Sequence, residues 1–208
     1  MIRKYLAWLL PLFLLLPGFA PAQESPDALI RNVTEEVLSI LRQDKAIRSG
    51  DRQRAEALIE QKVAPHFDFT RMTSLAVGRA WRQADEAQRK ALTDEFRALL
   101  VRTYANTLTT YRDQTVSFKP LSPAPAGDEV TVHSQINKPG GQPIPLDYSL
   151  ARSPDGWKVF DVVVANVSLV TNYRNSFANE VNKGGIAGLL KALQEQNRRR
   201  DSTPPAAV

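Results

Sequence analysis

Apolar residues recur at helical spacing through the first half of the chain and at alternate positions through much of the second. Leu29, Val33, Val37, Ile40 and Leu41 share one face of a helix that opens on Ser25-Pro26, an N-cap with proline in the first turn, and that Gly50 closes. Asp51 can cap a second helix, whose stripe of Ala55, Leu58, Ile59 and Val63 is interrupted by Pro65. Phe67, Phe69, Met72, Leu75 and Val77 predict a short helix ended by Gly78. Asp85 and Gln88 have the spacing of a capping box. The longest helix follows, with Leu92, Phe96, Leu99, Leu100, Tyr104, Leu108 and Tyr111 on one stripe and its end near Arg112.

The period then changes to two. Val116 and Phe118 begin a strand, a proline-rich loop covers 120–128, and Val130, Val132 and Ile136 alternate again. A hairpin tip at 138–143 leads to Ile144, Leu146, Tyr148 and Leu150, and Ser153-Pro154-Asp155-Gly156 turns into a fourth strand. That strand is apolar at nearly every position: Trp157, Val159 and Val163 fall on one face, Phe160, Val162 and Val164 on the other. Both faces therefore ask for apolar cover, from packed protein or from a ligand. Four strands with hairpin-length connections predict an antiparallel meander and an α+β domain. Ser168 can cap a helix bearing Leu169, Val170, Tyr173, Phe177 and Val181, and Gly184-Gly185 separates it from a last helix with Ile186, Leu189, Leu190 and Leu193. Residues 195–208 lack an apolar period and read as a frayed helix end and a disordered basic tail.

Composition changes the picture at both ends. Arg3 and Lys4, the apolar run from Tyr5 to Leu16 and the small residues Ala20-Pro21-Ala22 make residues 1–22 a signal peptide cleaved after Ala22. An uncleaved anchor fits less well, because the run is short and Pro17-Gly18 end it. The chain has no cysteine, which excludes a lipid-modified cysteine and any disulfide. Residues 23–194 are left as a single domain. The 27 basic and 22 acidic residues include Arg3 and Lys4 of the leader, and the rest are scattered, with one basic run at Arg198-Arg199-Arg200. That distribution argues against nucleic acid and suits a transient meeting with an anionic membrane surface.

Candidate chemistry is sparse. There is no HExxH, GxSxG or phosphate-loop motif, and no catalytic residue, metal or cofactor is expected. His66 lies beside an interrupted helix and His133 on a polar strand face, so both read as solvated or locally bonded residues rather than ligands. Asp147 and Asp161, on neighbouring strands, would suit proton abstraction if a cleft enclosed them. Asp147 alternates with Leu146 and Tyr148, which turns it towards solvent.

Two segments, 67–108 and 144–177, carry a family resemblance through the order of Trp81, Gln88, Phe96, Leu99, Leu100, Tyr104, Tyr148, Trp157, Val162, Ser168, Leu169, Tyr173, Arg174 and Phe177. They resemble the MlaC family of periplasmic phospholipid carriers, also called the toluene-tolerance auxiliary family. One departure is Ala165-Asn166, where that family usually has Glu-Gly; asparagine tolerates positive φ, so the turn can survive. The resemblance implies an NTF2-like fold, a cupped four-stranded antiparallel sheet covered by helices, with an apolar cavity between the layers. It implies a monomer in the periplasm of a Gram-negative bacterium, holding phospholipid as cargo and no cofactor. It also implies two partners, an MlaA-like outer-membrane lipoprotein with a porin and an inner-membrane MCE-domain ABC transporter with an MlaD-like subunit. Such a carrier shuttles phospholipid between the membranes and maintains outer-membrane asymmetry. Within the carrier reading, Phe96, Leu100, Tyr104, Leu108, Tyr148, Val162, Val164, Leu169, Tyr173 and Phe177 are expected to line the pocket, with Arg174 near the headgroup. The competing readings are a periplasmic protein-binding adaptor with a packed core and an NTF2-like enzyme.

Overall fold

The computed structural model describes residues 24–110, 113–121 and 127–201. The expected leader, Tyr111 and Arg112, part of the proline-rich loop and residues 202–208 lie outside the described residues.

Helix α1 (Pro26–Gln43) begins with proline in its first turn, but Gly50 does not end it. Asp44 does: its backbone is extended, and its Oδ1 accepts from the N–H groups of Ala46 and Ile47, which starts the short α2 (Lys45–Arg48). Gly50, at φ 102, follows α2. Asp51 caps α3 (Arg52–Leu58) through the Arg54 N–H. Ahead of Pro65 the helix widens into a π turn (Ile59–Val63) and then tightens into a 3-10 turn (Ala64–His66). Helix α4 (Phe69–Val77) follows, capped by Asp68. The capping box is present at α5 (Glu86–Thr109): Asp85 accepts from Gln88 N at 2.8 Å, and Gln88 accepts from Asp85 N at 3.1 Å.

The sheet is an antiparallel meander in the order β1 (Thr115–Phe118), β2 (Glu129–Asn137), β3 (Ile144–Ser153), β4 (Gly156–Val164) and β5 (Val167–Ser168). The two-residue β5 adds a fifth strand to the four expected. It pairs with β4 through the turn Ala165-Asn166, whose φ angles of 49 and 66 are both left-handed. A two-residue hairpin needs this conformation to match strand twist. Asn166 accommodates it readily, whereas Ala165 adopts it at a steric cost of about 1–2 kcal/mol. Ala165→Gly is expected to raise stability by about 0.5–1 kcal/mol, read as a shift in the urea midpoint at constant slope.

A bulge in β4 corrects the face assignment. Ser149 pairs with Asp161 but Leu150 pairs with Val159, so Phe160 is the extra residue and the alternation changes parity there. Trp157, Val159, Val162 and Val164 consequently all gather with Val132 and Leu150 on one face. Phe160 lies under the Arg71 guanidinium, 3.6 Å from the ring centroid. The strand that looked apolar on both sides is mostly one-faced.

Helix α6 (Leu169–Asp201) is broken at Gly184-Gly185, where Gly185 takes φ 64. Ser168 accepts from Thr171 N, as expected of a cap, and Asp161 adds a second anchor by accepting from Val170 N and Ser168 Oγ. The tail differs from expectation as far as Asp201: residues 195–201 continue the helix, and Asn197 is buried with its amide donating to Glu95 O and Oε2. One polar residue holds a turn that the apolar period did not mark.

Three apolar clusters follow. Helices α4, α5 and α6 enclose Met72, Leu92, Phe96, Leu99, Phe177 and Leu189. The C-terminal half of α1 packs through Val37 and Leu41 on α2, α3 and α5. Its N-terminal half packs through Leu29 and Ile30 on the sheet. Helix α1 thus spans two clusters.

Candidate functional site

Beneath that span lies a cavity of about 400 Å³. Ile30, Val33, Thr34, Val37, Leu38 and Leu41 of α1 form one wall. Facing them are Val116, Ile136, Ile144, Leu146, Tyr148 and Val164 of the sheet. Register explains that second wall: Val116 pairs with Ile136, Ile136 with Ile144, and Leu146 and Tyr148 with Val164 and Val162, so all point the same way. Val63 and His66 come from the π and 3-10 turns, and Phe67 is the extended residue that follows them before α4. Thr107, Leu108 and Thr110 at the end of α5, with Gln114 and Lys138, complete the lining. Among the described residues, no carboxylate lines it.

Three polar side chains, Thr34, His66 and Tyr148, sit inside the apolar part. The Tyr148 hydroxyl lies beside the Thr34 side chain, and burial pushes its pKa up to about 12, so it stays protonated. Burial also holds the His66 imidazole below its usual range, helped by Lys158 and opposed by Glu24 and Glu36. The folded protein therefore binds this proton less readily than the unfolded chain. Stability should fall as pH drops through about 6.5, the unfolded value, and the loss should be complete below the folded value. Urea midpoints for wild type and His66→Gln at pH 7.5 and 5.5 test this, with the smaller acid-induced decrease in the variant.

The structure distributes the ten expected lining residues. Leu108, Tyr148 and Val164 face the cavity. Val162 and Leu169 belong to the sheet cluster. Phe96, Leu100, Tyr104, Tyr173 and Phe177 pack among the helices, where Phe96 meets Tyr173 and Phe177 edge-on at centroid distances of 5.0 and 5.1 Å. Arg174 is outside the lining, and its Nε donates to Leu75 O at 3.2 Å. The wall of α1 went unassigned in the sequence because its stripe has the same period as a packed one; Ile144 and Leu146 were signalled by sharing a face with Tyr148.

The two aspartates considered for proton abstraction lie on the opposite sheet face. Asp147 Oδ1 is 3.0 Å from His133 Nδ1, and Asp161 anchors α6. A separate open recess at the α1–α2 junction contains Asp44, whose pKa is lowered by its hydrogen bond with Arg54 and by backbone N–H groups. Among the described residues, no helix is long and apolar enough to cross a membrane.

Comparison with known proteins places this architecture. The chain is 22% identical over 214 residues to toluene tolerance protein ttg2D of Pseudomonas putida, covering 100% of this chain and 98% of that one. It is 23% identical over 181 residues to the intermembrane phospholipid transport system binding protein MlaC of Haemophilus influenzae, covering 85% and 84%. The solved structure of the phospholipid-binding protein from Ralstonia solanacearum, in complex with a phospholipid, is similar with a TM-score of 0.80 and 37% identity, over 86% of this chain and 100% of that one. The family model described as MlaC protein matches residues 31–195, a span that includes most of α1, the whole sheet and most of α6. With that match running through both walls of the cavity, this chain belongs to the MlaC family.

Proposed function

We propose that this protein is a periplasmic phospholipid carrier of the Mla system that holds acyl chains between α1 and the inner face of the sheet. The observation that carries the reading is the apolar cavity enclosed by residues from α1 and four strands, with no carboxylate among the described residues that line it. Exposing about 30 methylenes of a diacyl lipid to water would cost roughly 25 kcal/mol at about 0.8 kcal/mol each, so free passage between membranes is negligible. Burying the tails removes that barrier. The headgroup can remain in water.

Export would use the leader at 1–22, and the carrier would meet both membranes only transiently. At the outer membrane it would exchange lipid with an MlaA-like lipoprotein and porin, and at the inner membrane with the MlaD-like subunit of an MCE-domain ABC transporter. The chain has no phosphate-loop motif, so these partners would supply direction. A cavity this large argues against an adaptor with a fully packed core. Organic extraction of mature protein purified without detergent should yield near-stoichiometric phospholipid. Absence of lipid together with no uptake from liposomes would reject the carrier reading.

A further inference from the structure

The polar lining is not evenly distributed. Thr107, Thr110 and Lys138 are the lining residues that are exposed, whereas every other one is half-buried or buried. They belong to one end of the cavity: Thr115 pairs with Asn137, so Gln114 and Lys138 leave the paired strands side by side, and Thr110 ends α5 shortly before. This is the mouth.

Among the described residues, Lys138 is the only lysine or arginine in the lining, and His66 is kept towards its neutral form by burial. Among the described residues no side-chain hydrogen bond or ion pair engages the Lys138 ammonium. The residue begins the β2–β3 connection, where Gly140 takes φ 70, so a long flexible side chain stands at the opening beside a glycine-containing turn. An amphiphile with its apolar part in the cavity must leave its polar part at this end. With a cation and no carboxylate among the described lining residues, an anion is the group that this end attracts.

We propose that Lys138 is the specificity-determining contact for the phosphate of the bound lipid, the role expected of Arg174. The assignment rests on the carrier reading. Arg174 is already engaged by the Leu75 carbonyl, outside the lining. Lysine acts here as a point charge without the bidentate fork of arginine, in partly solvated surroundings. The expected preference is therefore modest, about threefold to fivefold at low salt, and is screened as salt rises.

The test compares dioctanoyl phosphatidylglycerol with dioctanoyl glycerol, identical in acyl chains, as competitors of a fluorescent fatty acid bound to delipidated protein. Wild type should favour the phosphatidyl lipid about threefold at low salt, with the ratio shrinking in 1 M NaCl. Lys138→Gln should bring the ratio to about one, and Lys138→Arg should restore it. A Lys138→Gln ratio equal to wild type would overturn the assignment while leaving the carrier reading intact. Wild-type protein that bound neither lipid would overturn both.

Discussion

Val164→Asp should give a folded protein that has lost its lipid, whereas Leu100→Asp should give one that barely folds. Both positions were expected in the pocket from sequence, and the structure separates them. Val164 ends β4, lines the cavity and pairs with Val167, itself 54% exposed. A carboxylate there can reach water when the cavity is empty, but meets acyl methylenes when it is full. Desolvating it on lipid entry carries a penalty of several kcal/mol, so retained lipid should fall at least tenfold while the melting transition moves little. Leu100 is 5% exposed among the helices. An unpaired buried charge costs about 3–5 kcal/mol, a large part of a typical domain's stability. Lipid phosphorus per protein and a thermal melt on each variant distinguish the outcomes. Folded Val164→Asp with wild-type lipid content would remove the end of β4 from the pocket.

The second large effect is on stability alone. Phe96 is fully buried, and its ring meets Tyr173 and Phe177 while those two stand 5.6 Å apart. Phe96→Ala removes a large side chain and leaves a hole that flanking helices cannot close, a loss of about 3–5 kcal/mol. For a domain of this size that corresponds to a melting temperature lower by roughly 10 °C. Lipid per folded molecule should stay near wild type, because none of these three rings lines the cavity. A variant that kept its stability but lost lipid would place the acyl chains among these aromatic rings instead.

Much of the fold was legible because its signals are local. The Asp85–Gln88 capping box, the Asp51 cap, the break at Gly184-Gly185 and the alternating strands each rest on neighbours in sequence. The chain's own ambiguity lay in β4. Its run of apolar residues is compatible with either parity, so nothing in Phe160-Asp161-Val162 showed that a bulge would turn Val162 and Val164 to the same side as Val159. Asp44 was missed for a related reason, since its extended backbone stops α1, and its side chain starts α2, without a glycine or proline.

The site was less legible than the fold. An amphipathic stripe states that a helix covers something apolar, without saying whether the cover is another helix or a ligand. The α5 stripe was the longest, yet of its described members only Leu108 reaches the cavity, while Phe96, Leu99 and Leu100 close the helical cluster. The shorter α1 stripe forms the wall. That difference depends on how α1 bridges two clusters, a relation between segments distant in sequence.

Acyl chains held between α1 and the inner face of the sheet should be labelled there by a phospholipid carrying a diazirine near the end of one acyl chain, with the crosslinks located by peptide mapping. The expected labels fall on the α1 peptide containing Val33, Val37 and Leu38 and on the β3 peptide containing Leu146 and Tyr148. Labelling concentrated instead on Phe96, Tyr173 and Phe177, with α1 and β3 unmarked, would place the acyl chains among the helices and not against the sheet.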